Sequence, residues 1–131
     1  MSETAKKILV VDDSLMDRKL LMSALKKNGI EREVLQAADG KEGLQVLNEF
    51  YQDIGLILLD WQMPNVDGIE FMQIMLQNPQ MSRIPVIMIT ASGSEDSKKK
   101  AYQMNPALAG YVVKPYKPQS IITLVNDHLK G

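Results

Sequence analysis

Apolar residues occur in five short runs that are separated by longer stretches of mixed polarity. Residues 8–11 and 56–59 are wholly apolar and show no alternation with polar residues, which is typical of strands buried on both faces of a parallel sheet. The runs end at turn-forming or helix-capping residues. The sequence therefore predicts five strands, at residues 8–11, 33–37, 56–59, 85–89 and 110–113.

The stretches after the strands predict helices, most of them with apolar residues at every third or fourth position. Ser14, with Asp17 three residues later, predicts the start of the first helix, and Asn28 with Gly29 predicts its end. The polar stretch 93–100 is expected to lead into the fourth helix. The residues expected to face the core are Leu20, Leu21, Ala24 and Leu25 in the first helix, Leu44, Leu47 and Tyr51 in the second, Ile69, Met72, Met75 and Leu76 in the third, and Ile121, Ile122, Val125 and Leu129 in the fifth.

The alternation of strands and helices predicts an α/β fold, in which right-handed crossovers cover both faces of a five-stranded parallel sheet with helices. A length of 131 residues fits one domain, so we expect residues 1–131 to form a single unit. With 45% hydrophobic residues and a net charge of −1, the composition gives no reason to propose nucleic-acid or membrane binding through bulk charge. Specificity is therefore expected to come from a local site.

The absence of cysteine excludes disulfides, thiolate catalysis and cysteine zinc sites. No apolar run approaches the length of about 18 residues that a membrane helix needs, and residues 1–7 lack the apolar region of a signal peptide. We therefore expect a soluble, cytoplasmic protein with no direct nucleic-acid contact and no membrane insertion.

Polar side chains follow four of the predicted strands at the point where each strand ends. Asp12 and Asp13 follow the first strand, Asp60 the third, Thr90 the fourth and Lys114 the fifth. Because the carboxyl ends of parallel strands meet at one edge of a sheet, we expect these side chains to lie close together. Three carboxylates would repel one another unless a cation lay among them, and their oxygen atoms suit Mg²⁺.

A lysine and a threonine beside such a cation predict a site for phosphoryl transfer to a carboxylate, since they can contact the phosphoryl oxygens. Each residue alone also has a structural explanation. Asp12 and Asp13 would more often form a helix cap, and Lys114 would more often be a solvated surface residue. The combination of all five residues favours the phosphoryl site.

The motifs around these residues resemble the receiver domain of bacterial response regulators, and most closely its single-domain, CheY-like chemotaxis members. The resemblance covers nearly the whole chain and rests on Asp12-Asp13, Asp60 followed by Trp-Gln-Met-Pro-Asn-Val-Asp-Gly, Thr90-Ala91, and Tyr111-Val-Val-Lys114-Pro115. It implies a doubly wound, flavodoxin-like sheet with the strand order 2-1-3-4-5, and a cis bond between Lys114 and Pro115.

The resemblance also implies roles for individual residues. Asp60 would accept a phosphoryl group from a histidine kinase or a phosphotransfer protein, and Thr90 and Lys114 would contact the phosphoryl oxygens. The implied Mg²⁺ ligands are Asp13, Asp60 and the backbone carbonyl of Gln62, with Asp12 in contact through water. Gln62 stands where the closest relatives carry asparagine, and Ser92 lies two residues after Thr90. Both side chains would border the path of an attacking water, so the lifetime of the phosphorylated state stays open.

The same resemblance implies a switch through Thr90 and Tyr111, and an output partner. Helix four, strand five and helix five would form a docking face that responds to phosphorylation, with Lys98, Lys99, Lys100 and Lys117 on or near it. We expect a monomer that binds an acidic partner, and dimerisation through this face is the rival hypothesis.

Other protein classes remain as alternatives. A haloacid-dehalogenase-type phosphatase needs a second aspartate two residues after the first, where this chain has Gln62. A flavin binder of the same fold expects a phosphate loop after strand one, where Asp12 and Asp13 would repel phosphate. The remaining alternatives are a receiver that acts only as a scaffold and is not phosphorylated, and a receiver cut from a larger multidomain regulator.

Overall fold

The protein has five strands and five helices in the computed structural model, which describes residues 6–129. Residues 1–5, which belong to the stretch that lacks a signal-peptide pattern, lie outside the described part. The strands are β1 (Lys7–Val11), β2 (Val34–Ala37), β3 (Ile54–Leu59), β4 (Val86–Thr90) and β5 (Gly110–Val113). The helices are α1 (Leu15–Lys27), α2 (Gly40–Phe50), α3 (Gly68–Leu76), α4 (Glu95–Met104) and α5 (Pro118–Leu129).

The strands form one parallel sheet in the order β2-β1-β3-β4-β5, which confirms the order implied by the resemblance. Val11 of β1 pairs with Leu59 of β3, and Leu59 pairs with Met88 of β4. The central strands therefore end at nearly the same level, which brings the residues that follow them to one edge of the sheet.

The core has two parts, one on each face of the sheet. On one face Leu9 and Val11 pack with residues of α2, α3 and α4, and on the other Ile8 and Val10 pack with residues of α1 and α5. The strand residues of 8–11 and 56–59 are at most 1% exposed. This confirms the prediction that the continuous apolar runs are buried on both faces.

Most of the predicted inward-facing helix residues are buried or packed against the core, but Leu20 is 58% exposed, so its predicted placement is wrong. In α1 the buried residues are Leu21 and Leu25, four positions apart on one side of the helix. Leu20 lies beside this row and borders a groove instead of the core. The third helix contributes Phe71, a fully buried residue that the predicted set does not include.

The fourth helix also begins earlier than predicted, at Glu95, so most of the polar stretch 93–100 is helical. Ser94 caps it by accepting a hydrogen bond from the Ser97 backbone N–H at 3.0 Å. Ala101 is the only residue of α4 that is buried, which explains why apolar periodicity does not reveal the start of this helix.

The bond between Lys114 and Pro115 is cis, as expected. Within residues 6–129, every helix is too short or too polar to span a membrane.

Candidate functional site

Asp12, Asp13 and Asp60 meet where β1 and β3 end. The sheet continues for one hydrogen bond past each strand: the Asp60 backbone N–H donates to the Val11 carbonyl at 2.9 Å, and the Asp12 N–H donates to the Ala37 carbonyl at 3.1 Å. One carboxylate oxygen from each of the three aspartates lies within 4.8 Å of the others. Asp12 and Asp60 are 7% and 8% exposed, whereas Asp13 is exposed. The structure thus brings together the three carboxylates expected from the sequence.

The two buried aspartates are held by backbone amides. Asp12 Oδ1 accepts a hydrogen bond from the Ser14 N–H at 2.9 Å, and Asp60 Oδ1 accepts one from the Trp61 N–H at 2.7 Å. The helix cap itself is Ser14, whose hydroxyl accepts from the Asp17 N–H at 3.1 Å. Asp12 therefore supports the turn before α1 through Oδ1, while its second carboxylate oxygen, Oδ2, accepts a hydrogen bond from Lys114 Nζ at 2.8 Å.

The pKa of the Asp60 carboxyl is raised to about 6. Burial is the largest cause, and the neighbouring charge of Asp12 adds to it, while Lys114 and the Trp61 N–H oppose it. At neutral pH Asp60 is mostly ionised, but its charge is held in an unfavourable environment. A cation or an added positive group in the cluster would relieve this cost.

Lys114 brings a positive charge to the carboxylate oxygens of the site. Its Nζ lies 2.8 Å from Asp12 Oδ2, 2.8 Å from Asp17 Oδ2 and 3.4 Å from Asp60 Oδ2. The backbone places it, because the Lys114 N–H donates to the Thr90 carbonyl at 2.8 Å. Burial lowers the pKa of Lys114, but the hydrogen bonds to Asp12 and Asp17 outweigh it and raise the pKa overall. The ammonium therefore stays charged.

Thr90 lies at the end of β4, fully buried, and is linked to Tyr111 through the following loop. Its Oγ1 accepts a hydrogen bond from the Ser92 N–H at 3.2 Å. The Tyr111 hydroxyl donates to the Ser92 carbonyl at 2.6 Å, and burial raises the pKa of that phenol. A displacement of the loop after Thr90 would therefore shift the hydrogen-bonded side chain of the half-buried Tyr111.

The loop after Asp60 folds closely onto the end of β3. The Gly68 N–H donates to the Trp61 carbonyl at 2.7 Å, and a Cβ at Gly68 would lie 2.5 Å from the Asp60 carbonyl oxygen. Only glycine fits at that position without a shift of the backbone. Gln62 is exposed within this loop, two residues after Asp60, and its role as a carbonyl ligand stays a prediction.

Two residues at the site are not predicted from the sequence as parts of it. Asp17 forms an ion pair with Lys114, and Arg18 donates to the Asp12 carbonyl from Nη1 at 2.6 Å and to Gln36 Oε1 from Nε at 3.1 Å. The sequence identifies Asp17 only as part of the helix start. The signal that could have found it is its position in the first turn of the helix that directly follows Asp12 and Asp13 in the sequence.

The donor set of the cluster fits a hard divalent cation. It contains only carboxylate oxygens, two of them on nearly buried residues and one on an exposed residue that leaves the cluster open to solvent. Mg²⁺ prefers such oxygen ligands and keeps part of its water shell. Because the Lys114 ammonium lies 3.4 Å from Asp60 Oδ2, the arrangement can stabilise an anionic group next to the Asp60 carboxylate.

Comparison with known proteins shows that residues 8–126 match the family described as the response regulator receiver domain. Among curated proteins, the phosphate regulon transcriptional regulatory protein PhoB of Klebsiella pneumoniae is 31% identical over 121 residues, which make up 92% of this chain and 50% of PhoB. The chain therefore spans about half the length of PhoB.

Two solved structures resemble the fold closely. The chemotaxis protein CheY4 of Vibrio cholerae is 29% identical with a TM-score of 0.82, and the match covers 96% of this chain and 100% of CheY4. The response regulator Rcp1, solved in a Mn²⁺-bound form, is 31% identical with a TM-score of 0.76, and the match covers 93% and 90% of the two chains.

Proposed function

Because the chain belongs to the response regulator receiver domain family, we propose that it is a phosphoacceptor of two-component signal transduction, with Asp60 as the acceptor. The observation that carries the proposal is the position of the Asp60 carboxylate. It lies at the end of a central strand, within 4.8 Å of two further carboxylates and 3.4 Å from the Lys114 ammonium. The family's donors are histidine kinases and phosphotransfer proteins.

In the proposed reaction, an Asp60 carboxylate oxygen attacks the phosphorus of a phosphohistidine. A new P–O bond forms, the P–N bond breaks, and the leaving imidazole takes up a proton. Lys114 would donate a hydrogen bond to one phosphoryl oxygen and the Thr90 hydroxyl to another. Hydrolysis would reverse the state, since attack of water on the phosphorus releases inorganic phosphate and restores the Asp60 carboxylate. We assign no independent enzymatic activity to the chain beyond its own phosphorylation and dephosphorylation.

We place a Mg²⁺ ion at the acidic cluster. Asp13, Asp60 and the Gln62 carbonyl would hold it directly, and Asp12 would hold it through water. The ion would neutralise negative charge on the transferred group. The cluster geometry and the Mn²⁺-bound form of the similar protein Rcp1 support this assignment.

Output would pass through the surface formed by α4, β5 and α5. A phosphoryl group on Asp60 would draw the Thr90 hydroxyl toward it, and the hydrogen bond from Tyr111 to the Ser92 carbonyl would transmit the movement. Lys98, Lys99, Lys100 and Lys117 are exposed on these elements or beside them, so an acidic partner would fit. Likeness to the chemotaxis protein CheY4 supports a role in chemotaxis signalling, for which we propose a cytoplasmic location.

A second candidate is that the chain acts as the receiver part of a longer regulator, since it spans about half of PhoB. Sedimentation with and without beryllofluoride, a phosphoryl mimic, would separate the two. A monomer in both states favours docking of a partner protein, and a dimer that forms only with the mimic favours the regulator that dimerises through this face.

The proposal is tested by incubating the protein with acetyl phosphate and Mg²⁺ and measuring its intact mass. We expect a gain of one phosphoryl group in the parent and in Asp53→Asn, an exposed control on the opposite end of β3, and no gain in Asp60→Asn. A parent that gains nothing would favour the scaffold alternative, in which the site is not phosphorylated.

A further inference from the structure

Lys114 is shared between the acidic cluster and a carboxylate outside it. The ammonium has three N–H groups, and three carboxylate oxygens lie within 3.4 Å of its nitrogen. The two short contacts, both 2.8 Å, go to Asp12 and Asp17, whereas the contact to Asp60 is the longest. Lys114 is therefore held more closely by Asp17 than by the expected acceptor.

Asp17 is fixed independently of the cluster. It lies in the first turn of α1, where its own N–H donates to the capping hydroxyl of Ser14 at 3.1 Å. It is not among the three aspartates whose carboxylate oxygens converge, so Asp17 contacts the site through Lys114 and not as one of the converging carboxylates. Its side chain is 38% exposed, compared with 17% for Lys114.

The surroundings leave the ion pair free to open. Asp17 and Lys114 line a groove of about 520 Å³, together with Leu20 and Tyr116. Because Asp17 borders this open space and is itself partly exposed, it can separate from Lys114 without disturbing the packed core. Lys114 can thus exchange Asp17 for another hydrogen-bond acceptor at a small cost in free energy.

We propose that Asp17 is a positioning residue that holds the Lys114 ammonium away from Asp60 and thereby lowers the rate at which Asp60 accepts a phosphoryl group. This inference rests on the proposed function. All three N–H groups of Lys114 have carboxylate partners, so one bond must be given up before Lys114 can contact a phosphoryl oxygen. Asp17 competes with that oxygen for the ammonium.

The test compares phosphorylation rates with acetyl phosphate at saturating Mg²⁺. We expect Asp17→Asn to react faster by roughly two- to fivefold, the range that a partly exposed ion pair supports. Asp96→Asn is the matched control, since Asp96 is an exposed acidic residue in the first turn of α4 with no ion pair among residues 6–129. Its rate should not change. Asp17→Glu, which keeps the carboxylate, should react at a rate closer to that of the parent.

A second comparison separates positioning from simple repulsion of an anionic phosphodonor. If Asp17 acts through Lys114, Asp17→Asn has no effect on the rate when Lys114 is replaced by Met. An equal acceleration in both backgrounds would overturn the proposal, because the charge of Asp17 would then act directly on the donor. An unchanged or lower rate of Asp17→Asn in the parent background would also overturn it.

Crystal structures of the parent and of Asp17→Asn give a result that does not depend on phosphorylation. We expect Lys114 Nζ to move from Asp17 toward Asp60 in the variant, so that its distance to Asp60 Oδ2 falls below the 3.4 Å of the parent. A lysine that does not move would contradict the proposal even if the rates changed. If the parent is not phosphorylated at all, the proposed function is wrong. The two crystal structures then still show whether Asp17 holds Lys114 away from Asp60.

Discussion

The interior of the sheet and its carboxyl-end edge belong to the same strands but differ in their effect on stability. Val11 and Leu59 are fully buried among apolar side chains, and the next residues, Asp12 and Asp60, are nearly as buried but carry charge. Burial of the apolar pair stabilises the fold, whereas burial of the acidic pair opposes it. The sheet interior therefore supports a site that would be unfavourable by itself.

The largest expected effect is the loss of a core side chain. Phe71→Ala removes a ring that is 0% exposed and packs between the sheet and α2, so we expect the free energy of unfolding to fall by about 3–5 kcal/mol. Urea denaturation measures this. Leu20→Ala is the control, since Leu20 is 58% exposed and its loss should change stability by about 0.5 kcal/mol or less. A small effect at Phe71 would contradict the account of the core.

At the edge, removal of a charge is expected to stabilise. The pKa of Asp60 is about 6 in the folded protein, whereas that of an unperturbed aspartate carboxyl is 3.8. Below pH 3.8 the Asp60 carboxyl is protonated in both the folded and the unfolded state, and above about pH 6 it is ionised in both. Between these two pH values the unfolded state loses the proton first. The free energy of unfolding therefore falls as the pH rises from 3.8 to about 6, because the folded state must then bury the charge. In a chelating buffer, Asp60→Asn should therefore raise the free energy of unfolding by about 1–3 kcal/mol at pH 8.

The pH dependence separates this explanation from a general gain in packing. The advantage of Asp60→Asn should shrink as the pH falls from 6 to 4, because Asp60 of the parent then becomes protonated. Asp53→Asn, which replaces an exposed aspartate outside the acidic cluster, is the control. An advantage that is constant with pH would show that charge burial is not its cause.

Addition of Mg²⁺ should reduce the same penalty by a different route. We expect saturating Mg²⁺ to stabilise the parent by about 1–3 kcal/mol at pH 7 to 8 and to change the fluorescence of Trp61, which adjoins Asp60. Asp13→Ala should weaken both effects, since Asp13 belongs to the acidic cluster. If neither the melting temperature nor the emission responds in the parent, the cluster does not bind the cation.

The smallest expected effect concerns the hydrogen bond between Tyr111 and the Ser92 carbonyl. Tyr111→Phe removes the donor, and we expect a loss of about 0.5–1.5 kcal/mol in the free energy of unfolding without loss of phosphorylation. Tyr116→Phe is the control, because the Tyr116 hydroxyl has no hydrogen bond within residues 6–129. If Tyr111→Phe abolishes phosphorylation, Tyr111 takes part in the chemistry and the switch role is wrong.

Much of the fold follows from the apolar runs, because a strand that is buried on both faces needs no alternation and is easily recognised. The start of α4 could not be predicted in this way, since α4 buries only Ala101 and its N-terminus depends on the Ser94 cap. The predicted placement of Leu20 was wrong because α1 carries more apolar residues than it buries. Its buried residues are Leu21 and Leu25, and Leu20 lies beside them on the exposed side.

The site was predictable where its residues follow strands directly, because parallel strands end at a common edge. Asp12, Asp60 and Lys114 are of this kind. Asp17 is not, since it approaches Lys114 from the first turn of a helix 97 residues away in sequence. Its position in the first turn of α1 places it close to Asp12 and Asp13 in sequence, but the contact with Lys114 depends on how α1 packs against the sheet.

The central claim, that Asp60 accepts the phosphoryl group, is tested most directly by locating the modified residue. Borohydride reduces an aspartyl phosphate to homoserine, so the phosphorylated protein is treated with it, digested and sequenced by tandem mass spectrometry. We predict homoserine at position 60 and unchanged aspartate at positions 12, 13 and 17. Homoserine at any of those three positions, or at none, would contradict the account.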